Sequence, residues 1–452
     1  MPNFLYERTK NKESIIQYLA VFTVYKIMLE IVYIVAVSYW YSYLGFVYKP
    51  VVWKCVLSYV LFEILVCKLE RSVSVNGILV NTFFSICITP MLSFYWLADK
   101  NTLFLIYEVL FFIILNTVTK GNKKTLVFTW HNDNFKYDTI INVIFIGYVL
   151  IAIFLGIKRG GIDARSFSFK SIYDLRSETS NISGIESYLV EWCAKSFFPI
   201  FVVYFTYVKK YVKAIICLGT QIFLYLCFGF KAYLLSAIMV MAVYFITKNS
   251  EKKNHRSNIR IMIIFFVGLI PSFFSTLKGV FGTVCFSING VFAMRMLFEP
   301  ARIQNGYFEF FSQNSKLFFS EGLIGKLLGL NYTYDTAIGF VVTRYLNGAD
   351  AVSNSNTGII ADSYSQLGLL GIIVIALLMG IIIVLIKRIC VYTPSYCIAS
   401  MFFYPVIMWN DNPLLTNLLT NGLALNIILL ILVEGALRLR NRKINKQLIE
   451  KV

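Results

Sequence analysis

A chain of 452 residues that is 58% hydrophobic and only 15% charged, with a mean hydropathy of +0.69, is too poor in charge for a water-soluble protein and has the composition of an integral membrane protein. Its net charge of +18 does not point to nucleic acid, because the basic residues collect at the ends of apolar stretches. Nine cysteines stand singly with no C-x-x-C pair, and there are only two histidines, His131 and His255. No zinc site, disulfide framework or cofactor is therefore expected.

The first apolar stretch, 15–37, is too long for the core of a signal peptide and reads as a retained span. Further spans are expected at 51–67, 78–97, 103–119, 139–157, 189–208, 211–228, 231–247, 260–276, 358–386, 395–410 and 415–436. The fold expected is thus all-α, a single polytopic membrane domain over 1–452 with about twelve transmembrane helices. Basic clusters then set the orientation: Lys68 and Arg71, Lys120 to Lys136, Lys209 to Lys213, Lys248 to Arg260, Lys387 and Arg388, and the tail from Arg438 to Lys443 all fall on one side. Because short cytoplasmic loops carry the excess of Lys and Arg, both termini are expected in the cytoplasm.

Two outer segments depart from that bias. The first, 158–188, holds Lys158, Arg159, Arg165, Lys170 and Arg176 among several acids; the second and larger, 277–357, is expected to contain short helices and holds Lys278, Arg295, Arg302, Lys316, Lys326 and Arg344. Either these cations serve an anionic ligand at the outer surface, or long loops simply cross whatever their charge. Between spans 211–228 and 231–247 a tight hairpin presents Lys231 at the same level.

Within the second segment, VFAMRMLFEPARIQNGYFEFF (291–311) places Arg295, Glu299, Arg302 and Gly306 on one face if it is a regular α-helix. Two guanidinium groups about 10 Å apart along that face suit phosphate oxygens. The plainer alternative is that Glu299 pairs with both arginines. Inside the spans, Lys26 and Glu30 read as an internal pair, with Glu63 and Glu108 as further intramembrane acids. There is no Asp-x-Asp, no G-x-x-x-x-G-K loop and no G-x-S-x-G elbow, which excludes the usual metal-bound nucleotide-sugar, ATP-driven and serine-hydrolase devices.

Three elements together carry a resemblance: the outward hairpin GFKAYLL (229–235), of the type G-x-(R/K)-x-x-L-L; the large outer segment with Arg295 near its start; and NTGIIADSYSQLGLLG (356–371), of the type N-x-G-x-x-x-D-x-Y-x-x-x-G-x-x-G, leading back into the membrane. In this layout the chain resembles the bacterial O-antigen and capsule repeat-unit polymerases of the Wzy type. The related O-antigen ligases carry a histidine in the large outer loop, which this chain lacks. Phe230 and Lys231 stand where many relatives have Ser and Arg.

The resemblance implies a GT-C-like membrane glycosyltransferase in the bacterial cytoplasmic membrane, with its chemistry on the outer face and without metal. It would join repeat units carried on undecaprenyl diphosphate, alongside a flippase and a chain-length regulator. It implies Arg295, Arg302 and Asp362 as catalytic residues, with Lys231, Arg159, Arg165, Arg176, Asn356 and Tyr364 binding diphosphate or glycan. Asn356 and Ser355 suit the N-cap of the following helix, and Asp362 is either the base or a sugar-binding carboxylate, or else an acid that stabilises the helix dipole. The competing class is a lipid-linked oligosaccharide flippase or a ligase-like transferase. The orientation predicts that a cysteine placed at residue 316 reacts with an impermeant thiol reagent added to intact cells, and protection until lysis would refute it.

Overall fold

The computed structural model describes residues 14–71, 74–120, 135–167, 175, 184–253 and 257–449. Their regular structure is entirely helical. In chain order the main helices are α1 (Ile15–Trp40), α2 (Val52–Cys67), α3 (Val75–Leu97), α4 (Thr102–Lys120), α5 (Tyr137–Lys158), α6 (Ile185–Tyr207), α7 (Tyr211–Phe228), α8 (Lys231–Lys253), α9 (Ile259–Phe274), α10 (Gly279–Gln313), α11 (Gly322–Leu328), α12 (Ile338–Asn347), α13 (Ile359–Leu367), α14 (Leu369–Ile389), α15 (Ser395–Asp411) and α16 (Leu423–Ile449).

Among the described residues ten helical stretches are long and apolar enough to cross a membrane, so the chain is an all-α, multi-pass membrane protein. The ten differ from the twelve spans expected. Helices α2, of 16 residues, α9, a shorter apolar helix, and α15, of 17 residues, are present but short. Conversely α10, of 35 residues, runs through a segment expected to hold only short helices. The span expected at 358–386 is also broken, because Gly368 at φ +61° separates α13 from α14.

The chain divides into two compact units. The first comprises Met1–Lys123, Asn254–Val384 and Val406–Leu414; the second comprises Lys124–Lys253, Leu385–Pro405 and Leu415–Val452. In the first unit α3 is the axis, buried at every residue except Trp96. Lys26 of α1 pairs with Glu30, whose carboxylate also accepts from Tyr59 (2.6 Å) and Trp96 (2.8 Å). That is the internal pair expected, and its extra donors satisfy oxygens that the apolar surroundings would otherwise strand.

Four helices widen locally into π-turns, at Tyr33–Val37, Phe84–Ile88, Cys193–Phe197 and Gly290–Phe298. The last three are each followed, one residue later, by a proline: Pro90, Pro199 and Pro300. Proline has no N–H and its ring crowds the carbonyl four residues back, so the helix widens where it would otherwise break. The α-helical acceptors for Pro90 and Pro300 are the carbonyls of Ile86 and Met296. Both receive Asn410 Nδ2, each at 3.2 Å. In a segment without water, such carbonyls need a side-chain donor. Tyr25 serves Ser85 in the same way (3.0 Å), and in the second unit Gln221 serves Ala194 (3.3 Å).

Helix α10 does not travel from one end of its unit to the other. Near its start Phe286 packs on Trp40 and Tyr41 (5.1 and 5.9 Å); near its finish Phe308 stacks on Phe104 (4.9 Å) and Glu309 meets Lys100 (3.7 Å). The α1–α2 and α3–α4 links lie at one end, joined by Lys49 N–H to Leu97 O (2.8 Å) and Val51 N–H to Trp96 O (3.1 Å). Between those contacts Phe298 reaches Tyr33 (4.9 Å), about 12 Å deeper along α1. The helix therefore enters, bends through its nine-residue π-stretch and returns.

Because Asn410 is 1% exposed and donates to two proline-orphaned carbonyls, Asn410→Leu strands two acceptors at about 1–3 kcal/mol each. Thermal unfolding in detergent is expected to drop by several degrees, with Asn412→Leu, just past the end of α15, as the near-neutral control.

Candidate functional site

The α10–α14 region assembles a polar layer at that same end of the first unit. Its scaffold is glycine-dependent at two places. A Cβ on Gly306 would lie 2.6 Å from Leu346, so glycine permits the close approach of α10 and α12. Gly358, at φ +71°, sits where a Cβ would meet Asn410 O and Gln304 Cδ at 2.5 Å. Gln304, fully buried, donates to Asn410 (3.3 Å) and accepts from Ala361 N–H (3.3 Å), thereby capping the first turn of α13 from another helix.

That cap corrects an expectation. Asn356 and Ser355 do not cap the helix: its N-cap is Gly358, Ser355 bonds Thr343 (2.5 Å) and accepts from Tyr307 (3.3 Å), and Asn356 is exposed. The segment instead lies over α12, where Ser355 N–H reaches Gly339 O (3.2 Å). Glycine at 339 allows this approach, since a Cβ there would lie 2.7 Å from Ser355 O.

The shared face expected for Arg295, Glu299, Arg302 and Gly306 is also not formed. In a π-stretch the turn closes at i→i+5, so four residues no longer bring Arg295 over Glu299. Glu299 gives both oxygens to Arg302, at 3.0 Å from Nε and 2.9 Å from Nη2, and Arg302 Nη1 donates to Asn347 (3.1 Å). With three of its five donors engaged, 5% exposure and Phe46 beneath it at 5.6 Å, Arg302 ties α10 to α12. Arg295 is exposed.

Asp362 is on α13, half-buried, and accepts from Gln366 Nε2 (3.0 Å). Burial pushes its carboxyl up to about 6, with Gln366 pulling the other way and the negative charge of Glu321 adding to the rise. Glu321 accepts from Ile338 N–H at the start of α12 (3.0 Å), and burial raises its carboxyl too. Tyr364 lies against Phe308 (4.7 Å) and Tyr107 (5.7 Å). The ammonium of Lys316, a residue the sequence did not single out for chemistry, sits 3.7 Å from the Tyr364 ring centre and donates to Phe311 O (2.5 Å). Burial lowers its pKa to about 8. The structure thus brings together Asp362, Tyr364, Glu321 and Lys316, with Arg302 locked nearby on α10.

The second unit holds the other sequence candidates. Arg159 and Arg165 line a cleft of about 430 Å³ with Lys158, Asp163, Leu175 and Cys227. Arg165 is folded onto Asp163, Nη2 to Oδ2 at 2.8 Å, and those hydrogen bonds hold the aspartate below its usual range. Lys158 pairs with Glu186. Lys231 opens α8 directly after the turn at Gly229, φ +69°. Arg176 lies outside the described residues. Among the described residues no cluster of His, Cys, Asp and Glu could hold a metal ion.

The two arginines of α10 are expected to part under substitution. Arg302→Ala leaves Glu299 unpaired in a confined place, which costs roughly 3–5 kcal/mol, and membrane abundance falls. Arg295→Ala leaves abundance and unfolding temperature unchanged. Immunoblotting and thermal unfolding of both variants check this. The chain matches no protein-family model, no curated protein and no solved structure.

Proposed function

We propose that this protein is a metal-independent membrane glycosyltransferase that polymerises oligosaccharide repeat units carried on undecaprenyl diphosphate, at the outer face of a bacterial cytoplasmic membrane. The observation that carries the reading is Asp362, a half-buried carboxyl shifted to about 6, in a layer of Tyr364, Tyr107 and Phe308. Such a group is poised to take a proton near neutral pH, and aromatic faces suit sugar rings.

In the reaction the anomeric C–O bond to the donor diphosphate breaks and a hydroxyl of the acceptor sugar forms the new glycosidic bond. Its proton passes to Asp362. The diphosphate leaves with increased negative charge, for which the exposed guanidinium of Arg295 on α10 is the cation in this reading. Arg302 orients α10 through Glu299 and Asn347. Arg159 and Arg165, in their own cleft, suit a further phosphate or glycan. The twelve-span count remains part of this reading, with α2, α9 and α15 crossing as short helices.

The test is extension of purified lipid-linked repeat units by the protein in EDTA, followed as polymer length. Extension is expected to continue without metal and to fall as pH drops through about 6, because the base works only as carboxylate. Asp362→Asn is expected to cut the rate roughly a hundredfold or more and abolish that pH limb. Loss of extension that added metal restores, or a wild-type pH profile from Asp362→Asn, refutes the reading. Single repeats trapped on the inner face of a deletion strain would assign a flippase instead.

A further inference from the structure

Lys316 is not accounted for by that chemistry, and its surroundings point to a ligand of a particular shape. Its ammonium is held against Phe311 O and the Tyr364 ring, and among the described residues no carboxylate pairs with it. The lysine is packed against the helix break, since a Cβ on Gly368 would be 3.7 Å from Lys316 Cε. On the far side of that break α14 begins, the most apolar of the ten candidate spans, so Gly368 marks where the chain enters the bilayer.

The residues after Lys316 are pinned at this boundary. Leu317 N–H and Phe318 N–H donate to Ser365 O (2.9 Å) and Gln366 O (3.1 Å), and Phe319 N–H donates to Gln366 Oε1 (2.8 Å). Phe318 and Phe319 both take positive φ, +50° and +60°, a conformation that costs non-glycine residues of order 1–3 kcal/mol and needs surrounding structure to hold it. Phe318 is 60% exposed and tied through its N–H to Gln366, two residues before Gly368; past Gly368 the opening turn of α14 exposes Leu369 and Leu370 at 43% and 60%. A cation that no carboxylate pairs among the described residues therefore stands at the break from which an apolar span begins.

We infer that Lys316, Phe318, Leu369 and Leu370 form a docking site for a phosphate-bearing lipid, the phosphate on the Lys316 ammonium and the chain along the three apolar side chains. Phosphate supplies the missing charge partner in a partly desolvated place, and the hydrocarbon covers side chains that otherwise face headgroups. The lowered pKa of Lys316, about 8, accords with a cation awaiting an anion. The same chemistry fits an isoprenoid diphosphate and an ordinary anionic phospholipid. The site is independent of whether glycan is polymerised.

The experiment is equilibrium binding of radiolabelled undecaprenyl diphosphate to the full-length protein in phosphatidylcholine nanodiscs, with phosphatidylglycerol and inorganic diphosphate as competitors. Lys316→Gln is expected to weaken binding about tenfold, and Lys316→Arg to retain it. Phe318→Ser is expected to weaken the lipid probe while leaving competition by inorganic diphosphate unchanged. Equal competition by phosphatidylglycerol assigns the site to bulk anionic lipid, and failure to compete assigns it to the isoprenoid. Wild-type binding by Lys316→Gln overturns the inference, as does an unchanged lipid affinity in Phe318→Ser. If Lys316→Gln does not fold, Lys316→Arg and Phe318→Ser decide it. Because binding is read rather than extension, a negative result here leaves the proposed reaction untouched.

Discussion

One side-chain amide holds the first unit in register. Asn410 Nδ2 reaches the carbonyls that Pro90 and Pro300 cannot serve, and its own oxygens lie beside Gln304, which caps α13. Proline in a buried helix costs a hydrogen bond and introduces a bend; here a single donor settles both losses at once and so fixes α3, α10 and α15 against one another. The arrangement is cooperative in the sense that each bond presumes the others. Moving α10 by a fraction of a turn would free Met296 and withdraw Gln304 from Ala361.

The same constraint decides which charges the fold consumes. By widening α10, the π-stretch before Pro300 separates Arg295 from Glu299 and leaves that glutamate to Arg302. A bidentate fork, a third bond to Asn347 and a phenyl ring beneath leave Arg302 little freedom. Among the described residues Arg295 and Lys316 pair with no carboxylate, as is also true of Lys278, Lys326 and Arg344. This division also explains why an apolar helix of 35 residues is not simply a crossing: a helix bent at its middle can carry polar groups back to the end from which it entered.

The sequence made the membrane class, the hairpin at Gly229 and the Lys26–Glu30 pair legible, because each depends on composition or on contacts four residues apart. It misplaced the shared face of Arg295 and Arg302, since that inference assumed α-helical periodicity through a stretch that is π-helical. The signal was available in Pro300, which disturbs the turn before it. The cap on α13 was misassigned for a different reason: Asn356 has the right chemistry at the right distance, but Gln304 arrives from 57 positions away and no local rule anticipates a donor or acceptor from another helix. Lys316 was visible only as one more outer cation. Its setting depends on Gly368, whose positive φ ends α13 before the apolar helix α14 begins and against which the lysine packs.

That break has a consequence for the carboxylate. Had residues 358–386 formed one continuous span, Asp362 would sit in the first turns of a membrane helix, where the positive end of the dipole favours its ionised form. As α13 is instead a separate nine-residue helix, it can lie within the polar layer, with its first turn already bound by Gln304. Burial raises the Asp362 carboxyl to about 6, with Gln366 lowering it and the charge of Glu321 adding to the rise. Gln366, one turn on, is the counterweight, donating to Oδ1 from Nε2 while its backbone and side-chain oxygens hold Phe318 and Phe319. A single glutamine thus joins Asp362 to the loop in which Phe318 and Phe319 take positive φ.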